Sequence, residues 1–345
     1  MKIKIVISIL LVSLILILYS FFIKEPAALK LEIIDKPVET EAQQDDDVGT
    51  TIIRISVAGD CTLGFDERRG YVNSFLHEFE RQQQDYAFFF EKVKHIFAAS
   101  DLSLVNLEGA LTNSKEHTDK SFVFRGPPEF ARILSEGNID AVNLANNHTS
   151  DYLLQGYNDT VKALDGAGIG YFGNGKVYST TIKGFNVMLL GFTQWDASWS
   201  KQWILTQIAE AKQDADLVIV SFHWGEEYAY LPNEFQKTMG RLSIEHGADL
   251  VWGHHPHVLQ GIERYEDRYI VYSLGNFSFG GNRNPRDRDT MIFQQIFEFT
   301  NGALSGVDYE IIPCSISSID KRNNFQPIPL TGEAAERVMI KVLGL

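Results

Sequence analysis

Side chains that can bind metal ions recur directly after short apolar runs of this sequence. Acidic, amide and imidazole groups follow five such runs: Asp60, Glu108, Asn146, Asn147, His148, His223, His254, His255 and His257. Parallel strands deliver their carboxyl ends to one edge of an α/β sheet, where such folds place their ligands. We therefore expect these side chains to lie close together.

The donor types are those of a divalent metal centre without thiolate. Carboxylate and amide oxygens together with neutral imidazoles suit Mn²⁺, Fe²⁺ or Zn²⁺. A carboxylate can bridge two ions, which can activate a water and stabilise the attacking and leaving oxygens of a phosphoryl transfer. A single Gly-Asp after a strand is usually a turn, and a single histidine at a strand end is usually structural. Five such endings in one domain instead predict one or two bound divalent ions.

The elements that must position these groups are strands alternating with helices. Short apolar runs predict strands, and apolar residues at helical spacing predict helices. The predicted strands are residues 52–57, 102–107, 141–144, 217–222 and 250–252, and the predicted helices are residues 85–99, 128–137, 154–167, 200–213 and 233–246. Three later runs without intervening helices predict antiparallel strands: residues 269–273, 291–299 and 307–312. This alternation predicts an α/β domain, a sandwich of mixed sheets flanked by helices.

Composition excludes one class of partner. The chain has 345 residues, and 31 basic against 45 acidic side chains give a formal net charge of −14. An acidic surface repels phosphates, so nucleic acid is not an expected partner. An anionic substrate therefore needs a local cationic site, which bound metal could supply. Two cysteines, Cys61 and Cys314, are predicted to be buried thiols, with one structural bridge as the alternative.

The first 50 residues predict attachment to a membrane. Residues 5–23 carry no charge and have about the length that a helix needs to cross the hydrocarbon core. Lys2 and Lys4 precede the run, which favours a cytoplasmic N-terminus and a single-pass protein with an extracytoplasmic domain. A cleaved signal peptide is the alternative. The predicted organisation is residues 1–24 for the cytoplasmic N-terminus and transmembrane anchor, 25–50 for an acidic tether and 51–345 for the folded domain.

Six short motifs, in order along the chain, resemble the CapA (also PgsA) family. They are Gly59-Asp60, Asn106-Leu107-Glu108-Gly109, Leu144-Ala145-Asn146-Asn147-His148, His223-Trp224-Gly225, Gly253-His254-His255-Pro256-His257 and Gly275-Asn276-Phe277. That family takes part in bacterial poly-γ-glutamate capsule synthesis, and its domain is similar to calcineurin-like metallophosphoesterases. The resemblance covers about residues 52–280. It implies a metallophosphoesterase-like four-layer α/β sandwich with mixed sheets, and other subunits of a poly-γ-glutamate synthase as partners.

The resemblance also implies two sets of metal ligands. One ion would be held by Asp60, Glu108 and His257, and the other by Glu108, Asn147, His223 and His255. The metallophosphoesterase pattern has a histidine two residues after the first aspartate, where this chain has Thr62. The first site is therefore expected to be short of one ligand.

Three further residues are implied as contacts of the substrate. His148 would contact the substrate anion or protonate a leaving oxygen, a role that imidazole can take near neutral pH. Arg125 would bind phosphate or carboxylate through two parallel hydrogen bonds, with an ordinary surface arginine as the alternative. Asn276 would line the site or only shape its turn. Glu226 and Glu227, which follow His223 closely, are predicted to form a solvated rim.

These patterns together predict a metal-dependent, hydrolase-like component of poly-γ-glutamate synthesis or export. Its substrate would be an anionic polymer or a phosphoester. Two alternatives stay open: a metallophosphoesterase acting on a phosphoester unrelated to the capsule, and a non-catalytic scaffold or polymer-binding subunit with a vestigial site. Thr62 favours the scaffold, whereas the other predicted ligands favour chemistry.

Overall fold

The computed structural model describes residues 31–35, 49–195 and 200–344. The predicted membrane anchor and most of the predicted tether lie outside these ranges. Within them, no helix combines the length and the apolar character needed to cross a bilayer. The described residues form a mixed α/β fold on two large sheets, as the alternating pattern predicts.

The strands of the described residues belong to two large sheets and one small pair. They are β1 (Glu32–Asp35), β2 (Thr50–Thr62), β3 (Leu102–Leu107), β4 (Ala110–Leu111), β5 (Arg125–Gly126), β6 (Ala141–Asn143), β7 (Gly170–Phe172), β8 (Lys176–Ile182), β9 (Phe185–Thr193), β10 (Leu217–His223), β11 (Leu250–His254), β12 (Ile262–Tyr265), β13 (Arg268–Val271), β14 (Asn276–Phe279), β15 (Asp289–Thr300), β16 (Ala303–Ser315) and β17 (Ile328–Pro329). The first sheet has the order β17-β16-β15-β2-β3-β6-β7, with β14 beside β2. The second has the order β1-β8-β9-β10-β11-β13-β12, and β4 pairs with β5.

The helices of the described residues lie on the outer faces of the two sheets, except for the C-terminal helix, which packs into the cluster between the sheets. They are α1 (Phe75–Arg81), α2 (Lys94–Ala98), α3 (Ala131–Glu136), α4 (Leu153–Ala167), α5 (Lys201–Asp214), α6 (Glu234–Glu245) and α7 (Gly332–Leu343). Apolar side chains of α1 to α4 pack on the first sheet. α5 and α6 lie on the central strands of the second sheet, and α7 contacts β15 and β16. The layers are therefore helix, sheet, sheet and helix.

The core between the sheets follows from alternation along their strands. In β2, Ile53, Ile55 and Val57 pack in the cluster shared with the second sheet. Cys61, near the end of the same strand, packs in the helix-covered cluster. Strands buried on both faces have near-continuous apolar sequences, which is why such runs predict them. Cys61 and Cys314 are both buried free thiols, so the alternative of a bridge between them is not realised.

Residues 85–99 do not form the single helix that their spacing predicts. Only α2, near the end of this segment, is α-helical, and the rest forms bends and turns. Phe89 and Phe90 are adjacent and both fully buried. Their ring centroids lie 4.1 Å from that of Phe75 on α1 and 5.9 Å from that of Phe277 on β14, respectively. Because neighbouring rings pack on different elements, the chain turns here instead of presenting one apolar helix face.

Parallel strands of both sheets bring their carboxyl ends to one edge. In the first sheet, β2 runs parallel to β3, and Asp60 is paired with Asn106. In the second sheet, β10 runs parallel to β11, and His223 is paired with His254. Glu108 directly follows β3. The two sheets therefore bring the predicted ligands towards each other from opposite sides.

Candidate metal centre

Asp60 is fully buried at the end of β2 and is surrounded by donors. Asn106 Nδ2 donates to its Oδ1 at 2.8 Å, and the backbone N–H of His255 donates to its Oδ2 at 3.3 Å. His254 Nδ1 lies 3.0 Å from Oδ1, although outside hydrogen-bonding geometry, and His257 Nδ1 lies 3.3 Å from Oδ2. Burial alone would raise the pKa of Asp60, but its contacts with His254 and His257 hold it well below the usual range. The position therefore favours an anionic carboxylate beside positive charge.

Glu108 is equally buried but has the opposite surroundings. Neither of its carboxylate oxygens has a hydrogen-bond partner among the described residues. The Nε2 atoms of three imidazoles lie near its Oε1, at 3.7 Å for His148, 3.8 Å for His223 and 4.0 Å for His257. Burial and the negative charge of Asp60 raise the pKa of Glu108 well above its usual value. A buried carboxylate without partners is costly, and a cation among these imidazoles would satisfy it, so the residues fit a bound metal ion.

His223, at the end of β10, faces Asn147 across the centre. Its Nε2 lies 2.9 Å from Asn147 Oδ1, and its Nδ1 lies 3.4 Å from Asn106 Nδ2. Burial, and the repulsion between the His223 and His255 imidazoles when both are protonated, hold the pKa of His223 well below the usual value. The imidazole is therefore neutral at physiological pH, which is the form that binds metal.

His255 and His257 occupy an unusual stretch of backbone after β11. Their φ angles are 95° and 56°, in a region that residues other than glycine seldom adopt. Burial and the charge of His257 lower the pKa of His255 to about 4. Burial would also lower the pKa of His257, but the carboxylates of Glu108 and Asp60 raise it to about 9. One ligand atom from each of Asp60, Glu108 and His257 lies within 4.8 Å of the others, a group that could hold one ion.

Asn276 contacts His257 rather than only shaping its own turn. His257 Nδ1 lies 3.0 Å from Asn276 Oδ1, and Asn276 Nδ2 donates to the backbone oxygen of His257 at 3.2 Å. The side chain also lines the cavity that opens from the centre. Asn276 therefore orients His257 as well as lining the site.

His148 is paired with a carboxylate that the sequence analysis does not identify. Its Nδ1 lies 2.7 Å from Asp151 Oδ2, and Asp151 is fully buried. Asp151 also accepts the backbone N–H of Phe124 at 2.8 Å and Lys120 Nζ at 3.1 Å. This arrangement directs Nε2 of His148 towards Glu108 and the cavity. The available sequence signal is the spacing, since an acidic residue three positions after a site histidine can reach back to it.

Thr62 takes a structural role at the position where a ligand is missing. Its side chain is buried, and its Oγ1 donates to the backbone oxygen of Glu108 at 2.8 Å. The hydroxyl therefore fixes the turn that carries the Glu108 carboxylate. Asn106, two residues before Glu108 on β3, is a second positioning residue outside the predicted ligand set. The available sequence signal is alternation along a strand, which places residues two positions apart, such as Asn106 and Glu108, on one face.

The structure does not place Arg125 where the resemblance implies an anion clamp. Its guanidinium donates to the backbone oxygen of Thr112 at 3.0 Å and to Glu67 Oε1 at 2.6 Å. Arg125 is absent from the described lining of the cavity. Because its two donor groups are already engaged by protein oxygens, Arg125 stabilises the β4–β5 pair instead.

Other arginines surround the cavity. It has a volume of about 1050 Å³, with His148, His257 and Asn276 on its inner side. Its outer lining includes four arginines and three acidic residues: Arg68, Arg69, Arg283, Arg286, Asp66, Glu227 and Asp287. Arg286 is exposed, and Arg68 is paired with Asp66 at 2.7 Å. Arg68, Arg69 and Arg283 also donate to protein oxygens, so exposed Arg286 is the lining arginine most open to an anionic substrate.

Two solved structures are similar to this chain at low identity. A hypothetical protein from Thermus thermophilus is 14% identical with a TM-score of 0.48, over 76% of this chain and 99% of that one. A phosphatase from Mycoplasma pneumoniae is 14% identical with a TM-score of 0.42, over 76% of this chain and 94% of that one.

Curated relatives and a family model match the segment that contains the centre. The chain is 35% identical to the PGA biosynthesis protein CapA of Bacillus subtilis over 59% of this chain and 60% of that protein. It is 35% identical to the capsule biosynthesis protein CapA of Bacillus anthracis over 48% of this chain and 46% of that protein, so it spans about half of these relatives' length. It is also 26% identical to a probable polyglutamine synthesis accessory protein of Mycobacterium tuberculosis, over 64% of this chain and 67% of that protein. The model of the bacterial capsule synthesis protein family PGA_cap matches residues 54–281, which is most of the chain, and the chain therefore belongs to this family.

Proposed function

We propose that this chain is a membrane-anchored, extracytoplasmic component of poly-γ-glutamate synthesis or export with a metal-dependent, hydrolase-like centre. Family membership and the names of the relatives support the pathway. The observation that carries the chemistry is the buried Glu108 carboxylate, which lies among three imidazoles without a hydrogen bond. Proteins rarely bury such a group unless a cation pairs with it.

One or two divalent ions, of Mn²⁺, Fe²⁺ or Zn²⁺, fit the donors present. Six side chains would hold them: Asp60, Glu108, Asn147, His223, His255 and His257. Bound there, such ions would polarise a phosphoryl or carbonyl oxygen and activate a water. Glu108 lies in the middle of the cluster, where its two oxygens suit a bridging role. The lowered pKa of His223 and of His255 keeps both imidazoles in the form that can ligate.

His148 has the geometry of a proton donor to a leaving oxygen. Asp151 accepts the N–H at Nδ1 and orients the ring, so Nε2 is the atom that faces the cavity. A proton held at Nε2 can pass to a leaving oxygen that lies within hydrogen-bond reach. Arg286, which is exposed in the cavity lining, would attract the anionic substrate towards the centre.

The test uses the full-length protein in detergent. We expect at least one tightly held divalent ion per chain and hydrolysis of a generic aryl phosphodiester that depends on added Mn²⁺. Binding of poly-γ-glutamate is measured in parallel, with and without a chelator. Polymer binding that persists in the chelator, without any hydrolysis, would replace the enzyme by a scaffold. Phosphodiester hydrolysis in a protein whose deletion leaves capsule production normal would indicate an unrelated phosphoester as the substrate.

The anchor is tested separately. The uncharged residues 5–23 and the acidic segment that follows them support a retained membrane helix with a tether over residues 25–50, of which Glu32–Asp35 form strand β1 of the second sheet. We expect the intact protein to sediment with membranes and to be released only by detergent. A mature N-terminus near residue 28, found by peptide sequencing, would replace the anchor by a cleaved signal peptide.

A further inference from the structure

A second group of potential ligands lies on the solvent side of the centre. A carboxylate oxygen of Glu227 and one ring nitrogen each of His255 and His257 lie within 4.8 Å of one another. One carboxylate and two imidazoles form a donor set that suits divalent transition ions. From the sequence, Glu227 is expected only in a solvated rim. Glu226 and Glu227 are both exposed, as that prediction has it, and the carboxylate of Glu227 also lies beside the two histidines.

The turn that carries Glu227 is built for one conformation. Gly225 has a φ of 85°, and a Cβ there would lie 2.8 Å from Gln236 Cδ, so a glycine is required. Gln194 Oε1 accepts the backbone N–H of Gly225 at 3.0 Å, and Gln194 Nε2 donates to the backbone oxygen of Gly225 at 3.2 Å. Both backbone groups of this glycine are therefore held in place, and with them the start of the turn.

The same turn is tied to the histidine segment. Tyr228, with a φ of 62°, donates its backbone N–H to the oxygen of Pro256 at 2.8 Å. Pro256 stands between His255 and His257 in the sequence. The backbone of Glu227, directly before Tyr228, is thus held beside the histidine segment by main-chain contacts of its turn.

His255 shows a second sign of a missing partner. Its side chain is buried, with 6% of the residue exposed, yet its Nδ1 has no hydrogen-bond partner within the described ranges. Buried polar atoms nearly always have a partner, so an orphaned nitrogen indicates an unseen ligand. Its backbone is also held at a φ of 95°, a strain of the kind found at ligand-binding sites.

We propose that Glu227 is a metal ligand, which joins His255 and His257 to hold a divalent ion on the solvent side of the centre. This inference rests on the metal centre proposed above, adds Glu227 to it and places His255 together with His257 on one ion, the one expected to lack a ligand at Thr62. Glu227 offsets the ligand that is lost at Thr62, because it supplies a carboxylate to the ion that His257 would hold. The last ligand of the centre then comes from the turn after β10 in the second sheet, and not from β2 in the first.

The experiment compares two neighbouring glutamates in the full-length protein. Metal is removed with a chelator, and Mn²⁺ or, separately, Zn²⁺ is returned. Metal per chain is measured by mass spectrometry, and affinity by competition with a chromophoric chelator. We expect Glu227→Gln to bind its weakest ion about 10–100-fold less tightly, or to lose one ion per chain. Glu226→Gln, in the same exposed turn but outside the ligand group, should bind like the wild type.

A rescue variant separates ligation from charge. Glu227→His removes the negative charge but offers a nitrogen donor, so it should regain metal that Glu227→Gln has lost. Wild-type metal content and affinity in Glu227→Gln would overturn the inference and leave the proposed centre intact. Equal losses of metal affinity in Glu226→Gln and Glu227→Gln would overturn the inference, because they would show that any negative charge in this turn strengthens metal binding. A wild-type protein that binds neither ion would overturn the proposed metal centre itself.

Discussion

The core between the two sheets and the centre at their carboxyl edge are built from the same strands. The core buries mainly apolar side chains, whereas the centre buries polar side chains that lack hydrogen-bond partners. β10 passes through both regions. Its Leu217 and Ile219 are fully buried in the core among apolar side chains. Further along, Ser221 Oγ is buried without a partner among the described residues, and His223 faces the unpaired carboxylate of Glu108. One strand thus stabilises the fold at one end and carries the cost of a binding site at the other.

Of the substitutions considered, Glu108→Gln is expected to have the largest effect on the metal centre, without destabilising the core. The substitution keeps the size of the side chain but removes the charge that would bind and bridge the ions. We expect at most one ion per chain and a loss of phosphodiester hydrolysis. Burial and Asp60 raise the pKa of Glu108 above its ordinary value of 4.5, so the ionised form destabilises the metal-free fold at higher pH. The metal-free variant should therefore be at least as stable as the metal-free wild type at pH 7–8.

Metal analysis and urea unfolding in the presence of a chelator test both halves of that expectation. Two ions in Glu108→Gln would exclude a bridging role. A metal-free variant that is less stable than the metal-free wild type would show that the Glu108 carboxylate stabilises the fold. The centre would then stabilise the fold as the core does.

Phe293→Ala tests the core side of the comparison. Phe293 is fully buried, and its ring stacks on that of Tyr309 with centroids 5.4 Å apart. We expect a loss of about 3–5 kcal/mol in the free energy of unfolding. The metal content of the folded protein should not change. Phe235→Ala is the matched control because Phe235 is 42% exposed, and it should cost less than about 1 kcal/mol. Loss of metal from folded Phe293→Ala would show that the two regions are coupled.

His148→Ala separates ligation from proton transfer within the centre. If its Nε2 delivers a proton, turnover should fall by about 10²–10⁴-fold while the metal content stays at the wild-type level. His95→Ala, which alters an exposed histidine on α2, should leave turnover unchanged. A metal-free His148→Ala would mean that His148 is a ligand and that the proposed division of roles is wrong.

The smallest expected effect is a pH dependence of metal affinity. The carboxylates of Glu108 and Asp60, against the effect of burial, raise the pKa of His257 to about 9. The stabilisation from this proton in the metal-free protein is complete below the ordinary value of 6.5 and is lost as the pH rises through about 9. An ion must displace the proton, so affinity for Mn²⁺ should rise with pH by up to about tenfold per unit. Calorimetric titration between about pH 6.5 and 8.5 measures this slope, and an affinity that falls with pH would contradict the assignment of His257.

The local parts of the fold follow from the sequence, whereas its distant pairings do not. The run over residues 102–107 is β3, and the helical spacing over residues 154–167 matches α4 within one residue. The hairpin of β8 and β9 and the C-terminal helix α7 are not predicted. No local pattern indicates that β15 pairs with β2, with Phe293 opposite Val57. Such pairing depends on packing across the whole domain rather than on periodicity.

The candidate site divides in the same way. Asp60, Glu108 and His223 can be found because each comes at the end of an apolar run, and strand direction sends all three to one edge. The predicted role of Arg125 as an anion clamp is not supported by its contacts, because its motif does not reveal which way the side chain leaves a short strand. Glu227 is missed because its contact with the histidines depends on a glycine turn whose direction cannot be read from the sequence.

The position of β2 has a consequence for when the domain can fold. β2 lies between β3 and β15, so one of its neighbours is encoded more than 200 residues after it. A nascent chain must extend past β15 before this strand is paired with both β3 and β15, and until then part of its edge exposes unpaired backbone groups. Pairing over such distances is slow compared with local helix formation. Completion of the first sheet is therefore expected to be a late step in folding, after the local helices have formed.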